Sequence, residues 1–256
     1  MMNLLETITQ LSHEFGGCEY VKAGGGNTSC KTADTLWVKP SGTTLATLTP
    51  QGFVAMDRAR LADLYTAQTP DDAAAREELV KNMMAAAVKP ETPGRASVEA
   101  PLHDSLAARF VVHTHPMAVN GMTCAVGGSA AAARLFPDAL WVPYTDPGYT
   151  LCMAVREAIR AYRARQGCEP ALIFLENHGV FVSGDTAEAV RAAYARVMQA
   201  LASAYAAAGI DDAVPEGPAP EAAQVAAWHG VLAEALGAEA GAVASAGRFE
   251  VGGGPI

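Results

Sequence analysis

Phe110-Val111-Val112-His113-Thr114-His115-Pro116 reads as a short strand that ends in chemistry. Aromatic and β-branched residues favour the pleated conformation, and Pro116 stops it. Side chains of a strand alternate between faces, so His113 and His115 project from one face while Val112 and Thr114 face the other way. Two imidazoles on one face can share a metal ion. A third ligand must come from elsewhere, and Asn177-His178-Gly179 offers one on a tight turn. Asn and Gly there allow the sharp backbone geometry that an exposed ligand needs. Three neutral imidazoles leave a coordination position open, as in catalytic zinc sites, and such a position can polarise a carbonyl or hydroxyl oxygen. The set fits zinc best and also accommodates manganese, cobalt or iron. The His-x-His spacing taken alone is equally compatible with polar residues on a sheet. His13, His103 and His229 fall on expected helices and read as surface or packing residues; His103 is four residues after Glu99, on the same helical face.

Outward from this strand the chain alternates helical and extended patterns. Leu4, Leu5, Ile8, Leu11 and Phe15 recur at helical spacing until Gly16-Gly17. Gly24 to Ser29 is a loop by composition, and Leu36 to Val38 a short strand followed by the turn Pro40-Ser41-Gly42. Helices are expected over Asp57–Thr66, Asp71–Val88, Gly148–Arg165 and Thr186–Ala208, and over Ser97–Ala108, with Ser97 as cap and Glu99 in the first turn. Leu140–Val142 is a further strand. Ala171–Leu175 and Val180–Ser183 read as a strand pair around His178. Pro215–Pro220 is a linker, and a last helix spans Ala222–Leu236. The mixture predicts one α/β domain in layers, with a sheet that is not purely parallel. A single domain over residues 1–256 is expected, with its core at about 4–208 and a C-terminal helix and tail at 219–256.

The chain has 256 residues, of which 50% are hydrophobic and 18% charged, a globular composition. No apolar stretch is long enough to span a membrane, and Met1 to Glu6 lacks the basic flank and apolar block of a signal peptide. A cytoplasmic location is expected. The net charge of −9 argues against a nucleic-acid partner, which needs clustered Lys and Arg. Five cysteines without CxxC spacing argue against a disulfide framework; each reads as a small buried hydrophobe.

Three segments have the composition of an anion pocket. Gly24-Gly25-Gly26-Asn27-Thr28-Ser29 can present successive N–H groups and two hydroxyls, Ser41-Gly42-Thr43 is a second such turn, and Ser97 at a helix start is a third donor. Lys39 adds positive charge.

The motifs GGGNTS, KPSGT, SVE, HTHP and ENHG, in this order, resemble the class II aldolase/adducin family over about Leu4 to Ala208. GGGNTS and WVKPSG are most similar to the aldolase part of rhamnulose-phosphate aldolase-like proteins. The resemblance implies that His113, His115 and His178 ligate zinc. It implies that Glu99 shuttles a proton and joins the metal in the empty site, and that Asn27, Thr28, Ser41, Gly42 and Ser97 bind substrate phosphate. It also implies a three-layer α/β/α sandwich around a largely antiparallel, mixed central sheet, a homotetramer with sites at subunit interfaces, and retro-aldol cleavage of a ketose phosphate through a metal-stabilised enediolate. A decarboxylase of a phosphorylated keto sugar acid, with Lys39 or Arg95 holding the carboxylate, is the alternative. A related dehydratase or 4-epimerase and a non-catalytic adducin-like binding protein follow. Two positions depart from the pattern. Val98 stands where several members carry a second serine, and no tyrosine lies between Met122 and Val142, leaving Tyr144 and Tyr149 as the nearest.

Overall fold

A computed structural model of the chain describes residues 4–90, 92 and 94–210, together with 221, 223, 224, 226–228 and 231. The chain divides into two compact units, Met1–Ile210 and Asp211–Ile256. The linker expected at 215–220 and His229 lie outside the described residues, as does most of the last expected helix.

Seven strands form one sheet in the first unit: β1 (Asn27–Lys31), β2 (Thr35–Val38), β3 (Val54–Asp57), β4 (Phe110–Thr114), β5 (Leu140–Val142), β6 (Leu172–Leu175) and β7 (Gly179–Gly184). Their order is β3-β2-β1-β4-β7-β6-β5, and every pairing is antiparallel except β5 with β6. Eight helices cover the two faces: α1 (Leu4–Glu14), α2 (Arg58–Leu64), α3 (Ala73–Ala87), α4 (Ala100–Ser105), α5 (Met117–Thr123), α6 (Gly128–Leu135), α7 (Tyr149–Gln166) and α8 (Ala187–Ala208). The sandwich is therefore α/β/α around a mixed, largely antiparallel sheet.

Three helices, α2, α3 and α8, begin where a side chain satisfies their free N–H groups. Asp57 accepts from the N–H of Ala59 and Arg60, Asp72 from that of Ala75, and Thr186 from that of Ala189. α7 and α8 stop at Gly167 and Gly209, both in the left-handed conformation. One face of the sheet packs Val112, Phe174, Val180 and Val182 against Ile8 and Leu11 of α1 and Val190, Tyr194 and Val197 of α8. The other packs Val111, Ile173 and Phe181 against Leu102 of α4 and Val155 and Ile159 of α7. A third cluster joins β2 and β3 to α2 and α3 through Leu36, Met56, Leu61 and Val80. Each such side chain contributes about 1.5–3 kcal/mol on burial.

Several sequence expectations change. Asn27 to Ser29 are not loop: they belong to β1, an interior strand paired on both sides, and ladder formation overrides a loop-like composition. The expected helix from Ser97 to Ala108 shrinks to α4. Ser97 is outside it, and Glu99 takes the cap position with no side-chain cap bond of its own. β3, α5 and α6 go unread in the sequence. Cys30 and Cys152 are buried as expected, whereas Cys18, Cys124 and Cys168 are exposed; all five are free thiols.

Candidate metal centre

Antiparallel pairing brings the three histidines together. His113 lies near the end of β4 and His178 just before β7 begins, so the end of one strand meets the start of its neighbour. His115 follows β4 directly, with its N–H on the Tyr20 carbonyl (3.0 Å). His178 is presented by a turn in which Asn177 adopts φ +58°, a left-handed conformation that Asn tolerates. The Asn177 N–H donates to the Thr123 carbonyl (3.1 Å), fixing the turn. Gly179 must be glycine: a Cβ there would lie 2.6 Å from both His115 Cδ2 and the Thr114 carbonyl oxygen.

The ligand nitrogens of His113, His115 and His178 all lie within 4.8 Å of one another. His113 is fully buried, and its ring stacks on Phe181, its cross-strand partner, with centroids 4.0 Å apart. Its Nδ1 is 3.0 Å from the Val180 carbonyl oxygen. A carbonyl only accepts, so Nδ1 carries the hydrogen and Nε2 presents a lone pair to the cluster. His115 Nε2 sits 2.9 Å from that lone pair. Glu99 Oε1 lies 3.3 Å from His113 Nε2 and 3.4 Å from His178 Nε2. Atoms sharing a tetrahedral zinc at bonds of about 2.1 Å are spaced by about 3.4 Å. Three imidazoles and a carboxylate converging in this way fit a divalent cation.

The electrostatics agree. Burial raises the Glu99 carboxyl, but positive charge at the imidazole cluster, on the side of His113 first and His178 next, outweighs it and holds Glu99 well below the usual range; a divalent ion on neutral imidazoles would supply that charge. Burial, with His113 and His178 beside it, pushes His115 down to about 3, so its imidazole is neutral and able to ligate.

The predicted substrate residues divide. Asn27 Nδ2 donates to Glu99 Oε2, while its own Oδ1 is buried without a partner among the described residues. Ser97 Oγ accepts from the Glu99 N–H (3.2 Å). Ser41 Oγ accepts from Arg95 (3.2 Å), on a turn where Gly42 has φ +82°. Lys39 is buried and donates to the Gly24 carbonyl (3.2 Å); burial lowers its ammonium and Glu99 raises it. Thr28 does not join them. It points to the opposite face, where its hydroxyl pairs with that of Ser12 (2.7 Å). Nor is the glycine run a free row of donors, because the Gly25 N–H is spent on the Lys22 carbonyl (2.9 Å). Ser29, read from the sequence as a hydroxyl of the anion nest, and His103, read as a surface or packing residue, bind each other instead: both are fully buried, with His103 Nδ1 2.8 Å from Ser29 Oγ. The signal was present in the two-residue spacing of Asn27 and Ser29 and the four-residue spacing of Glu99 and His103.

Residues 6–205 match the family described as Class II Aldolase and Adducin N-terminal domain. The chain belongs to this family. A Bacillus subtilis (strain 168) protein described as uncharacterized oxidoreductase YuxG is 32% identical over 176 residues, which is 64% of this chain and 24% of that protein. The chain thus spans well under half of that relative. The N-terminal class II aldolase domain of a conserved protein from Thermoplasma acidophilum aligns with a TM-score of 0.67 at 26% identity, covering 79% of this chain and 94% of that one. YgbL from Klebsiella pneumoniae, described as a putative aldolase/epimerase/decarboxylase, shares the fold, with a TM-score of 0.55 at 16% identity over 79% of this chain and 88% of that one. The family match spans all four converging residues, Glu99, His113, His115 and His178. Among the described residues no helix is long and apolar enough to cross a membrane.

Proposed function

We propose that the chain is a zinc-dependent aldehyde-lyase that cleaves a ketose phosphate by retro-aldol chemistry. The observation that carries this reading is the convergence of His113, His115, His178 and Glu99 on one point. A divalent ion held by the three imidazoles supplies Lewis-acid polarisation of a substrate oxygen. Glu99, ionised at neutral pH, accepts the proton released at the substrate and returns it to the carbon left by bond cleavage. Asn27 holds one oxygen of Glu99, leaving Oε1 on the histidine side. The Ser41-Gly42 turn, Ser97 and Asn27 form the wall on which the substrate phosphate rests, with Arg95 beside Ser41 as its cation.

The chain acts as a single family domain, as a cytoplasmic homotetramer whose sites lie at subunit interfaces. Val98, Met117 and Tyr144 support the interface reading: they are 67%, 52% and 57% exposed on segments adjoining Glu99, His115 and the His178 turn. Decarboxylation of a phosphorylated keto sugar acid is the second reading. It is favoured by the buried Lys39, whose charge is felt by Glu99 and would meet a carboxylate.

The test is product analysis by mass spectrometry, with zinc-loaded protein and a panel of ketose phosphates and keto sugar-acid phosphates. Release of a triose phosphate and an aldehyde is expected. Loss of carbon dioxide from the acids without ketose cleavage would replace the lyase by the decarboxylase.

A further inference from the structure

One face of β1 grips α4 at successive points. Asn27 donates to Glu99, Ser29 Oγ meets His103 Nδ1 at 2.8 Å, and the Lys31 ammonium donates to the carbonyls of His103 and Leu106. The spacing has a geometric cause. Two residues along a strand advance about 6.6–6.8 Å, and four along a helix about 6 Å. Alternate residues of β1 therefore keep step with residues 99 and 103, and the last rung lands on the carbonyl end of α4, where a cation is favoured. α4 has six residues and carries Pro101 in its first turn. A helix so short does not hold itself, so this ladder, along with the packing of Leu102, fixes it.

The middle rung is the one that links both halves of the site. His103 and Ser29 are each 0% exposed. The ring meets Phe181 edge-on at 5.3 Å, and the face of Phe181 stacks on His113. The His103 N–H also donates to the Glu99 carbonyl (3.1 Å). His103 Nε2 has no hydrogen-bond partner among the described residues, so the ring is held through Nδ1 alone. We infer that His103, anchored by Ser29, is a positioning residue that sets the Glu99 carboxylate against His113. The inference rests on the proposed role of Glu99 as the proton carrier.

Two readouts test it on the full chain. The first is hydrogen–deuterium exchange at the carbon next to the carbonyl of dihydroxyacetone phosphate, followed by NMR in D2O with metal-loaded protein. The second is the visible absorption of the cobalt-loaded protein, which reports the ligand field without turnover. Ser29→Ala and His103→Phe are expected to slow exchange about 10–100-fold at unchanged cobalt stoichiometry and unchanged apparent KM. They should also move the cobalt bands in the direction seen for Glu99→Gln. His103→Asn, whose amide replaces Nδ1, should restore most of the rate, whereas His103→Gln, which replaces Nε2, should not. A lower melting temperature with unaltered exchange and bands in Ser29→Ala and His103→Phe would make the pair merely structural and overturn the inference. So would His103→Asn as slow as His103→Phe. If the wild type does not exchange, or Glu99→Gln exchanges normally, it is the proposed function that fails. The cobalt bands of Ser29→Ala then decide the positioning role alone, supported by a shift and overturned by none.

Discussion

Strands β1 and β4 turn different chemistry to their two faces. Toward α1 and α8 they present Thr28, Val112 and Thr114, and the polar atoms there close on one another: Thr28 on Ser12, Thr114 on Tyr194 (2.8 Å). Toward α4 they present Asn27, Ser29, Lys31 and His113, and these reach for a carboxylate, an imidazole and helix-end carbonyls. On the first face the strand hydroxyls are paired and serve stability. The second carries lone pairs and charge that only the site can use, and leaves Asn27 Oδ1 and His103 Nε2 unpaired among the described residues. Burying unpaired polar atoms costs about 1–3 kcal/mol each, so the fold sacrifices stability on the face where it does chemistry.

Substitutions on the two faces should therefore separate. The largest effect belongs to Glu99→Gln, expected to cut turnover about 10²–10⁴-fold while bound metal, measured by atomic absorption, stays near wild type. Turnover equal to wild type would erase the distinction between the faces. Next, Phe174→Ala, at a fully buried site 5.1 Å from the Phe136 ring, should cost about 3–5 kcal/mol in denaturant unfolding and leave metal stoichiometry alone. Gly179→Ala forces a Cβ into the His115 ring. Metal affinity by competitive chelation should fall about 10–100-fold, with a smaller loss of stability. Tyr194→Phe removes one hydroxyl from the quiet face and should cost about 1 kcal/mol without touching turnover.

Acid should weaken the chemical face first. Burial pushes His103 down to about 3 from an ordinary value of 6.5. The unfolded chain then binds the extra proton first, so the stability contributed by the neutral ring is complete above about pH 6.5 and is lost as pH falls toward 3. Chemical denaturation of the metal-free protein across this range should show the loss, and His103→Asn should flatten it. An identical slope in that variant would assign the acid sensitivity elsewhere.

Much of this was legible in the sequence. β4 and the flanks of β6 and β7 announced themselves by β-branched residues and stops, and the caps Asp57 and Thr186 stood at the starts of their helices. Alternation along one strand grouped His113 with His115, and the Asn177-His178-Gly179 turn with the family resemblance added His178. β1 was hidden because Gly24 to Ser29 spell a turn locally and become a strand only when β2 and β4 pair on either side. α5 and α6 were hidden because Met117 to Leu135 is rich in Ala and Gly and the two helices are only seven and eight residues long. The direction of Thr28 depended on that missed strand: in a loop it was free to face substrate, in β1 it cannot. The spacing of His103 from Glu99 was visible, but its partner was not, since a helix face says nothing about the hydroxyl waiting on a distant strand.

The pairing of β4 with β7 also bears on how the chain is held closed. His113 and His178 are far apart in sequence but neighbours in space, with β5, α7 and β6 between them. An ion bound by both is a removable staple across a long chain loop. A covalent link closing a loop of that size removes unfolded-state entropy worth roughly 4 kcal/mol, and a tightly held ion approaches that limit. The protein would thus carry a reversible lock. Charged with metal, the chain from His113 to His178 is closed into a loop whose unfolded forms are restricted; stripped of it, the same fold unfolds at a lower denaturant concentration.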